Sequence, residues 1–153
     1  MSRPTEAAML APYVHPRVIK WGDTDAAHIA YTVRFFDFAM EAIEGWFRNV
    51  LGIDWYRLNM DLHMGTPFVQ VNMDIMAPLT PRDELRMIVL VEKMGRSSLA
   101  FGIRGERTDG VSSFKARFVC SLVDNRAMKS IPIPPEFRAR IEHYMEACAA
   151  CSA

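Results

Sequence analysis

The segment WGDTDAAHIAY, residues 21–31, carries two carboxylates, Asp23 and Asp25, between a short apolar run and a long amphipathic pattern. The apolar run, residues 15–21, predicts a short β-strand. Because a helix is predicted to follow, an acidic side chain and a helix N-terminus should lie close together. Chemistry at a carbonyl group uses both features, since a carboxylate attacks or activates water and N–H groups hold the oxyanion.

An amphipathic helix is predicted over residues 32–50. Its apolar residues recur at spacings of three and four, the period of a helix with one buried face. These residues are Phe35, Phe38, Ala39, Ala42, Ile43, Trp46, Phe47 and Val50. Gly52 ends the pattern, as glycine after a helix commonly does. Eight such side chains at about 1.5–3 kcal/mol each amount to more than about 10 kcal/mol as an upper bound. The helix must therefore lie against a sheet.

Alternation of apolar and polar residues predicts four further strands after the helix. They lie in residues 67–76, 85–91, 99–103 and 114–122. Asp109-Gly110 is a hairpin signal before the last strand, and residues 136–148 are typical of a terminal helix. The expected fold class is α+β, with a long central helix wrapped by a curved five-stranded antiparallel sheet and a C-terminal helix. The last four strands are expected to form a meander.

Length and composition predict a single domain over residues 13–148, preceded by a flexible N-terminal arm, residues 1–12. Eighteen basic residues balance eighteen acidic ones without a basic block, so nucleic acid is not an expected partner. No apolar window approaches the roughly 18 residues of a membrane span, and no signal-peptide pattern is present. We therefore expect a cytoplasmic protein with no membrane partner. The three cysteines lack zinc spacing and do not suggest a disulfide framework.

The predicted sheet also suggests self-association. A single sheet covers only one side of such a helix, and its edge strands stay open. Pairing between copies of the chain would cover both, so a homodimer or homotetramer is expected.

The order of elements and the segment WGDTDAAHIAYTVRFFDFAMEA resemble the hotdog-fold acyl-CoA thioesterases, in particular the 4-hydroxybenzoyl-CoA thioesterase family. The positions that carry the family's pattern are Trp21, Asp23, Asp25, Tyr31 and Phe35. Further matching segments are Gly65-Thr66-Pro67, Ala77-Pro78-Leu79, Gly95-Arg96-Ser97-Ser98 and the ending IPIPPEFRARI. The resemblance covers about residues 15–140.

The resemblance implies hydrolysis of an acyl-CoA or aryl-CoA thioester to the free acid and CoA, with no metal and no bound cofactor. Asp25 matches the family's catalytic carboxylate, which acts as nucleophile or as general base. The backbone N–H of Thr32 matches the oxyanion donor. Elementary physics agrees with that assignment, because the first N–H groups of a helix lack partners and its dipole favours negative charge there. Six residues separate Asp25 from the helix, too many for a simple cap.

One position departs from the family pattern, because His28 stands where the family usually has glycine. Glycine permits a positive φ angle that His adopts only at a cost. The loop could therefore differ in shape, or His28 could line the pocket. Asp23 is expected to be a structural hydrogen-bond acceptor. The residues expected to contact substrate are His28, Tyr31, Thr66, Asn72, Arg96, Ser97 and Ser98, with Arg96 also a candidate for the CoA phosphates.

Two other functions remain open from the sequence. A hydratase or dehydratase of acyl thioesters would pair a His with an acid, and His28 is the nearby candidate. A non-catalytic acyl-CoA-binding protein would share the fold without the activity. Asp23, Asp25 and His28 could in principle ligate a metal, but no second His or Cys cluster supports such a site.

Overall fold

The computed structural model describes residues 11–152 and shows a long helix lying against an antiparallel sheet. In chain order the elements are β1 (Tyr13–Val18), α1 (Thr32–Trp46), α2 (Trp55–Met60), β2 (Met64–Gly65), β3 (Phe68–Ile75), β4 (Glu84–Met94), β5 (Ser98–Arg107), β6 (Ser112–Ser121), β7 (Val123–Asp124), β8 (Lys129–Ser130) and α3 (Pro135–Cys151). The predicted α+β class, with a five-stranded antiparallel sheet, a long helix and a C-terminal helix, is confirmed.

The apolar face of α1 is buried, as its spacing predicts. After Trp46 the helix continues as a π-helical turn over Phe47–Leu51, and Gly52 ends it with φ of 79°. Gly45 lies where β1 crosses the helix, and a Cβ at this position would clash with the Tyr13 hydroxyl. This close approach fixes β1 against α1.

The sheet has the strand order β1-β4-β5-β6-β3, so the predicted four-strand meander is wrong in one connection. Strands β4, β5 and β6 are successive antiparallel neighbours, but β3 pairs with β6, and β4 pairs with β1. The segment 76–83 therefore crosses from one edge of the sheet to β4. Alternation identifies a strand and its buried face, but it does not specify the neighbouring strand.

The chain just ahead of α1 also differs from the prediction. Strand β1 ends at Val18, and Trp21–Asp23 forms a 3-10 turn instead of extending the strand. Helix α2 and the small sheet of β2, β7 and β8 were not predicted, because two to six residues are too few to show a period. The hairpin at Asp109-Gly110 is confirmed, with φ of 87° at Gly110.

Helix α3 is tied to the sheet by one tyrosine. The buried hydroxyl of Tyr144 accepts the Tyr13 N–H at 2.9 Å and donates to the Val89 carbonyl. The predicted N-terminal arm, residues 1–12, lies outside the described residues except for Ala11 and Pro12. None of the helices within residues 11–152 is long and apolar enough to cross a membrane.

Candidate active site

Residues 24–30, called the Asp25 loop below, form a closed loop immediately before α1. Thr24 and Ala30 pair as an isolated antiparallel bridge, and within it the Asp25 N–H donates to the Ile29 carbonyl at 3.1 Å. The Asp25 side chain is exposed, and its Oδ1 accepts the Ala27 N–H at 2.8 Å. Its Oδ2 has no hydrogen-bond partner among residues 11–152. The turn thus holds the carboxylate by one oxygen and leaves the other available.

His28 keeps the loop in the shape that glycine would permit, with φ of 64°. The imidazole ring lies 5.9 Å from the exposed Trp21 ring, measured between ring centroids. This contact helps to offset the cost of the left-handed backbone.

Helix α1 begins at Thr32 without a side-chain cap. The Arg34 N–H donates to the Tyr31 carbonyl at 2.8 Å, whereas the N–H groups of Thr32 and Val33 have no acceptor in the described part of the chain. These residues are exposed. Two free donors and the positive end of the helix dipole therefore lie just after the Asp25 loop, and Asp25 itself does not cap the helix.

Asp23 is a structural acceptor, as predicted. It is 5% exposed, forms an ion pair with Arg17, and accepts the Lys20 N–H at 2.8 Å. Burial alone would raise the pKa of Asp23, but the hydrogen bonds from Arg17 and Lys20 outweigh it and hold the pKa below its ordinary value. The Asp23 carbonyl also accepts the Tyr31 N–H at 2.8 Å, at the far end of the loop.

The lowered pKa of Asp23 predicts a pH-dependent contribution to stability. Since the folded-state value lies below the ordinary 3.8, this contribution is present above that pH and is lost as pH falls through the folded pKa. We expect Asp23→Asn to lower the free energy of unfolding at pH 7 by about 1.5–3 kcal/mol. Urea unfolding of both proteins between pH 7 and pH 3 checks this. The difference should shrink below about pH 4, and a constant difference would contradict the ion-pair assignment.

The other predicted contacts lie elsewhere in the single chain. Thr66 and Ser97 line a small apolar cavity beside Phe47 and Leu51, which follow the C-terminal end of α1. Because the 15 residues of α1 span about 22 Å at the helical rise, this cavity lies far from the Asp25 loop. Cys120 also lines it, and burial raises the pKa of this thiol to about 12, so the thiol stays protonated.

Arg96 and Ser98 belong to the turn that opens β5. The Gly95 N–H donates to the Ser98 carbonyl at 2.8 Å, and Arg138 donates to the carbonyls of Gly95 and Arg96 at 2.8 and 3.2 Å. The Arg96 side chain is exposed. Asn72 is exposed on the outer face of β3, opposite Arg117 of β6.

A second cavity, of about 380 Å³, is more open and is also lined by Thr66. Its walls include Met40 of α1, the aromatic rings of Trp55 and Phe68, and the amides of Asn59 and Asn125. Asp25 lines neither of the two cavities. One continuous segment, before and at the start of α1, thus contains Trp21, Asp25, His28, Tyr31 and Thr32. The turn that carries Arg96 and Ser97 lies elsewhere in the single chain.

Sequence reasoning missed Arg17, which pairs with Asp23 just before the loop. A charged residue inside a short strand carries no local signal of a partner six positions away, so the pair is visible only in the fold. Across residues 11–152, no three His, Cys, Asp or Glu side chains converge as metal ligands would.

A sheet-wrapped central helix of this kind is the hotdog architecture, and here a loop-held carboxylate precedes its N-terminus. A family model described as the thioesterase-like superfamily matches residues 19–141, and the chain belongs to that superfamily. The chain is also similar to proteins that are named as CoA-thioester hydrolases or thioesterases.

Three relatives illustrate the range of similarity. A thioesterase-superfamily crystal structure from Jannaschia sp. CCS1 is 36% identical, covers 94% of this chain and 97% of its own, and has a TM-score of 0.81. A 1,4-dihydroxy-2-naphthoyl-CoA hydrolase from Thermosynechococcus vestitus is 25% identical over 78% of this chain and 83% of its own length. A 1,4-dihydroxy-2-naphthoyl-CoA thioesterase structure from Synechocystis, 18% identical, covers 84% of this chain and 94% of its own with a TM-score of 0.78, and supports the fold.

Proposed function

We propose that this chain hydrolyses an acyl-CoA or aryl-CoA thioester to the free acid and CoA, as a member of the 4-hydroxybenzoyl-CoA thioesterase family within the superfamily. The observation that carries the proposal is the Asp25 carboxylate, held by one oxygen in the loop before α1. The first two N–H groups of that helix have no acceptor among residues 11–152. Attack on a thioester carbonyl requires a carboxylate and hydrogen-bond donors for the oxyanion.

In the proposed reaction the free Asp25 oxygen acts on the thioester carbonyl carbon, either directly or through a water whose proton it takes. The carbonyl oxygen gains negative charge, and the Thr32 N–H donates a hydrogen bond to it. The C–S bond then breaks and CoA leaves as the thiolate, which is protonated from solvent. In the direct route, water hydrolyses the resulting acyl–Asp25 anhydride. Loss of one oxyanion donor in other hydrolases costs about 2.7–4 kcal/mol of transition-state stabilisation.

We further propose that the active site is shared between two copies of the chain. The Asp25 loop lies at one end of α1, while Ser97 lies beside residues that follow its other end, about 22 Å away by the helical rise. A second copy of the chain can bring the Arg96-Ser97-Ser98 turn to the Asp25 loop. In that arrangement His28 and Tyr31 flank the thioester, and Arg96 and Asn72 are available to the CoA portion.

The edge of the sheet supports this self-association as a homodimer or homotetramer. Strand β3 is an edge strand, and its inward-facing side chains Val71 and Ile75 are still 42% and 41% exposed. The opposite edge, β1, contains Pro16, which has no N–H to donate and makes this edge less suited to pair with a further strand. Strand β3 has no proline, so it is the edge suited to pair with its copy across a two-fold axis.

The acyl group is proposed to enter the more open cavity. Met40, in its wall, lies eight residues along α1 from Thr32, about 12 Å at the helical rise, which suits an acyl group extending from the thioester. The rings of Trp55 and Phe68 offer an aromatic wall, and the Trp55 indole N–H is buried without a partner among residues 11–152. These features favour an aryl group bearing a polar substituent. The name of the Thermosynechococcus relative contains an acyl group of this kind, 1,4-dihydroxy-2-naphthoyl.

We propose the cytoplasm as the compartment, because Cys120, Cys148 and Cys151 are all free thiols, as a reducing environment favours.

Release of free thiol from a panel of short, long, branched, aromatic and hydroxyaromatic CoA esters tests the proposed function. We expect turnover of at least one class, with hydroxyaromatic esters giving the highest kcat/KM. Binding of CoA esters without release of thiol from any of them would instead indicate a binding protein. Consumption of an enoyl-CoA by hydration, with its thioester intact, would indicate a hydratase that uses His28.

A further inference from the structure

The guanidinium of Arg17, which belongs to β1, contacts both the 3-10 turn just before the Asp25 loop and helix α1. It binds both carboxylate oxygens of Asp23, and its Nε donates to Glu41 of α1 at 3.1 Å. It also lies 4.6 Å from the centroid of the Phe38 ring, over the ring of that α1 residue. The side chain is only 15% exposed. Arg17 therefore joins β1, the 3-10 turn and α1 through one planar group.

Asp23 links Arg17 to the Asp25 loop. Its carboxylate accepts the Lys20 N–H on the near side, and its main-chain carbonyl accepts the Tyr31 N–H immediately before α1. Only Thr24 separates Asp23 from Asp25. The positions of the Asp25 loop and of the Thr32 N–H thus depend on Asp23. Arg17 binds the side chain of Asp23.

We propose that Arg17 is a positioning residue for thioester hydrolysis: by holding Asp23 it fixes the Asp25 carboxylate relative to the N-terminus of α1. The inference rests on the proposed function. Neither Arg17 nor Asp23 needs to touch the substrate. Their contribution is to keep the attacking oxygen and the oxyanion donor at a constant separation, since a misplacement of about 1 Å can lower a rate about 100-fold.

The geometry requires an arginine. The fork of the guanidinium binds two oxygens of Asp23 while its Nε binds Glu41, whereas a lysine ammonium is a single point of charge on a flexible stem. Arg17→Lys therefore keeps the charge but loses the simultaneous contact. Arg17→Met also loses the charge and leaves the carboxylate of Asp23 buried without its partner.

The test compares Arg17→Met and Arg17→Lys with the wild type, by steady-state kinetics on a CoA ester that the wild type hydrolyses and by amide hydrogen exchange of residues 20–31 without substrate. We expect kcat to fall about 100-fold in Arg17→Met, the loss that misplacement produces, with KM changed less than about threefold. The kcat of Arg17→Lys should lie between those of Arg17→Met and the wild type. Exchange should become faster at Lys20 and Tyr31, whose N–H groups bond to Asp23, and not in β5 or β6.

Two controls separate positioning from general destabilisation. Arg107→Met makes the same substitution at a similarly exposed, ion-paired arginine at the end of β5, so it should leave kcat and loop exchange unchanged. Glu41→Gln removes the negative charge of the Arg17 partner on α1, where Glu41 has a side chain that is 41% exposed. The Gln oxygen can still accept from Arg17 Nε and the Asp23 pair is kept, so kcat should stay near the wild-type value.

Unchanged kcat, or unchanged exchange at Lys20 and Tyr31, in folded Arg17→Met would overturn the proposal. Should Arg17→Met not fold, the same readings are taken from Arg17→Lys. If the wild type hydrolyses no CoA ester, the proposed function fails, and the exchange data alone then decide whether Arg17 holds the loop.

Discussion

Asp25→Asn should lower kcat by about 100- to 10,000-fold, the contribution typical of a positioned acid–base group, with the fold intact. The amide of Asn is a poor nucleophile and cannot take a proton from water, so either role of the proposed carboxylate is lost. The side chain is exposed, and an Asn oxygen can still accept the Ala27 N–H that now binds Oδ1 at 2.8 Å. Thiol release and thermal unfolding of the variant measure the two effects separately.

Asp109→Asn is the matched control for this substitution. Asp109 is also exposed in a loop and also accepts an N–H two residues on, from Val111 at 3.1 Å. Its exposed ion pair with Arg107 contributes little. We expect normal turnover from Asp109→Asn. Near-normal turnover from Asp25→Asn would remove Asp25 from the chemistry.

Val71→Lys should convert the proposed homodimer into a monomer and abolish most of the activity at low protein concentration. Across a two-fold axis each copy meets its own counterpart, so the change places two like charges in one interface. Such juxtaposition costs several kcal/mol, and about 1.4 kcal/mol corresponds to a tenfold weaker Kd. A weakening of about 100-fold or more is expected. Val71 is 42% exposed, so the lysine stem can cover the same surface in the monomer.

Sedimentation measures this effect directly, because the monomer mass is 17.4 kDa and the wild type should have at least twice that mass. Val111→Lys, at an exposed valine in the β5–β6 turn, is the control and should change neither mass nor activity. Activity of Val71→Lys should recover as its concentration rises. A monomeric wild type with full activity would contradict a shared active site.

The helix and its burial were predictable from the sequence because they depend on local spacing. The positions of Phe35, Phe38 and Trp46 define one face, and that face is buried. The start of α1 at Thr32 was also predicted correctly. At His28 the sequence left the backbone conformation open, since a left-handed His is possible but costly, and the structure has φ of 64° there.

The remaining features depend on contacts that no periodic pattern in the sequence shows. Trp21 fits an apolar strand, yet the Lys20 N–H and the Asp23 carboxylate close a turn there. The pairing of β3 with β6 instead of β4 places the exposed valines at the sheet edge, and no period in the sequence specifies it. Arg17 was missed for the same reason, because its partners on the 3-10 turn and on α1 come together only in the folded chain.

A crystal structure of Asp25→Asn with an intact CoA thioester bound tests most directly whether the loop and the helix N-terminus form one reaction site. We expect the carbonyl carbon within about 3.5 Å of the side chain at position 25. Its oxygen should accept the Thr32 N–H at about 2.7–3.1 Å. A thioester bound with its carbonyl away from both groups, for example in the cavity beside Ser97, would contradict the proposed mechanism.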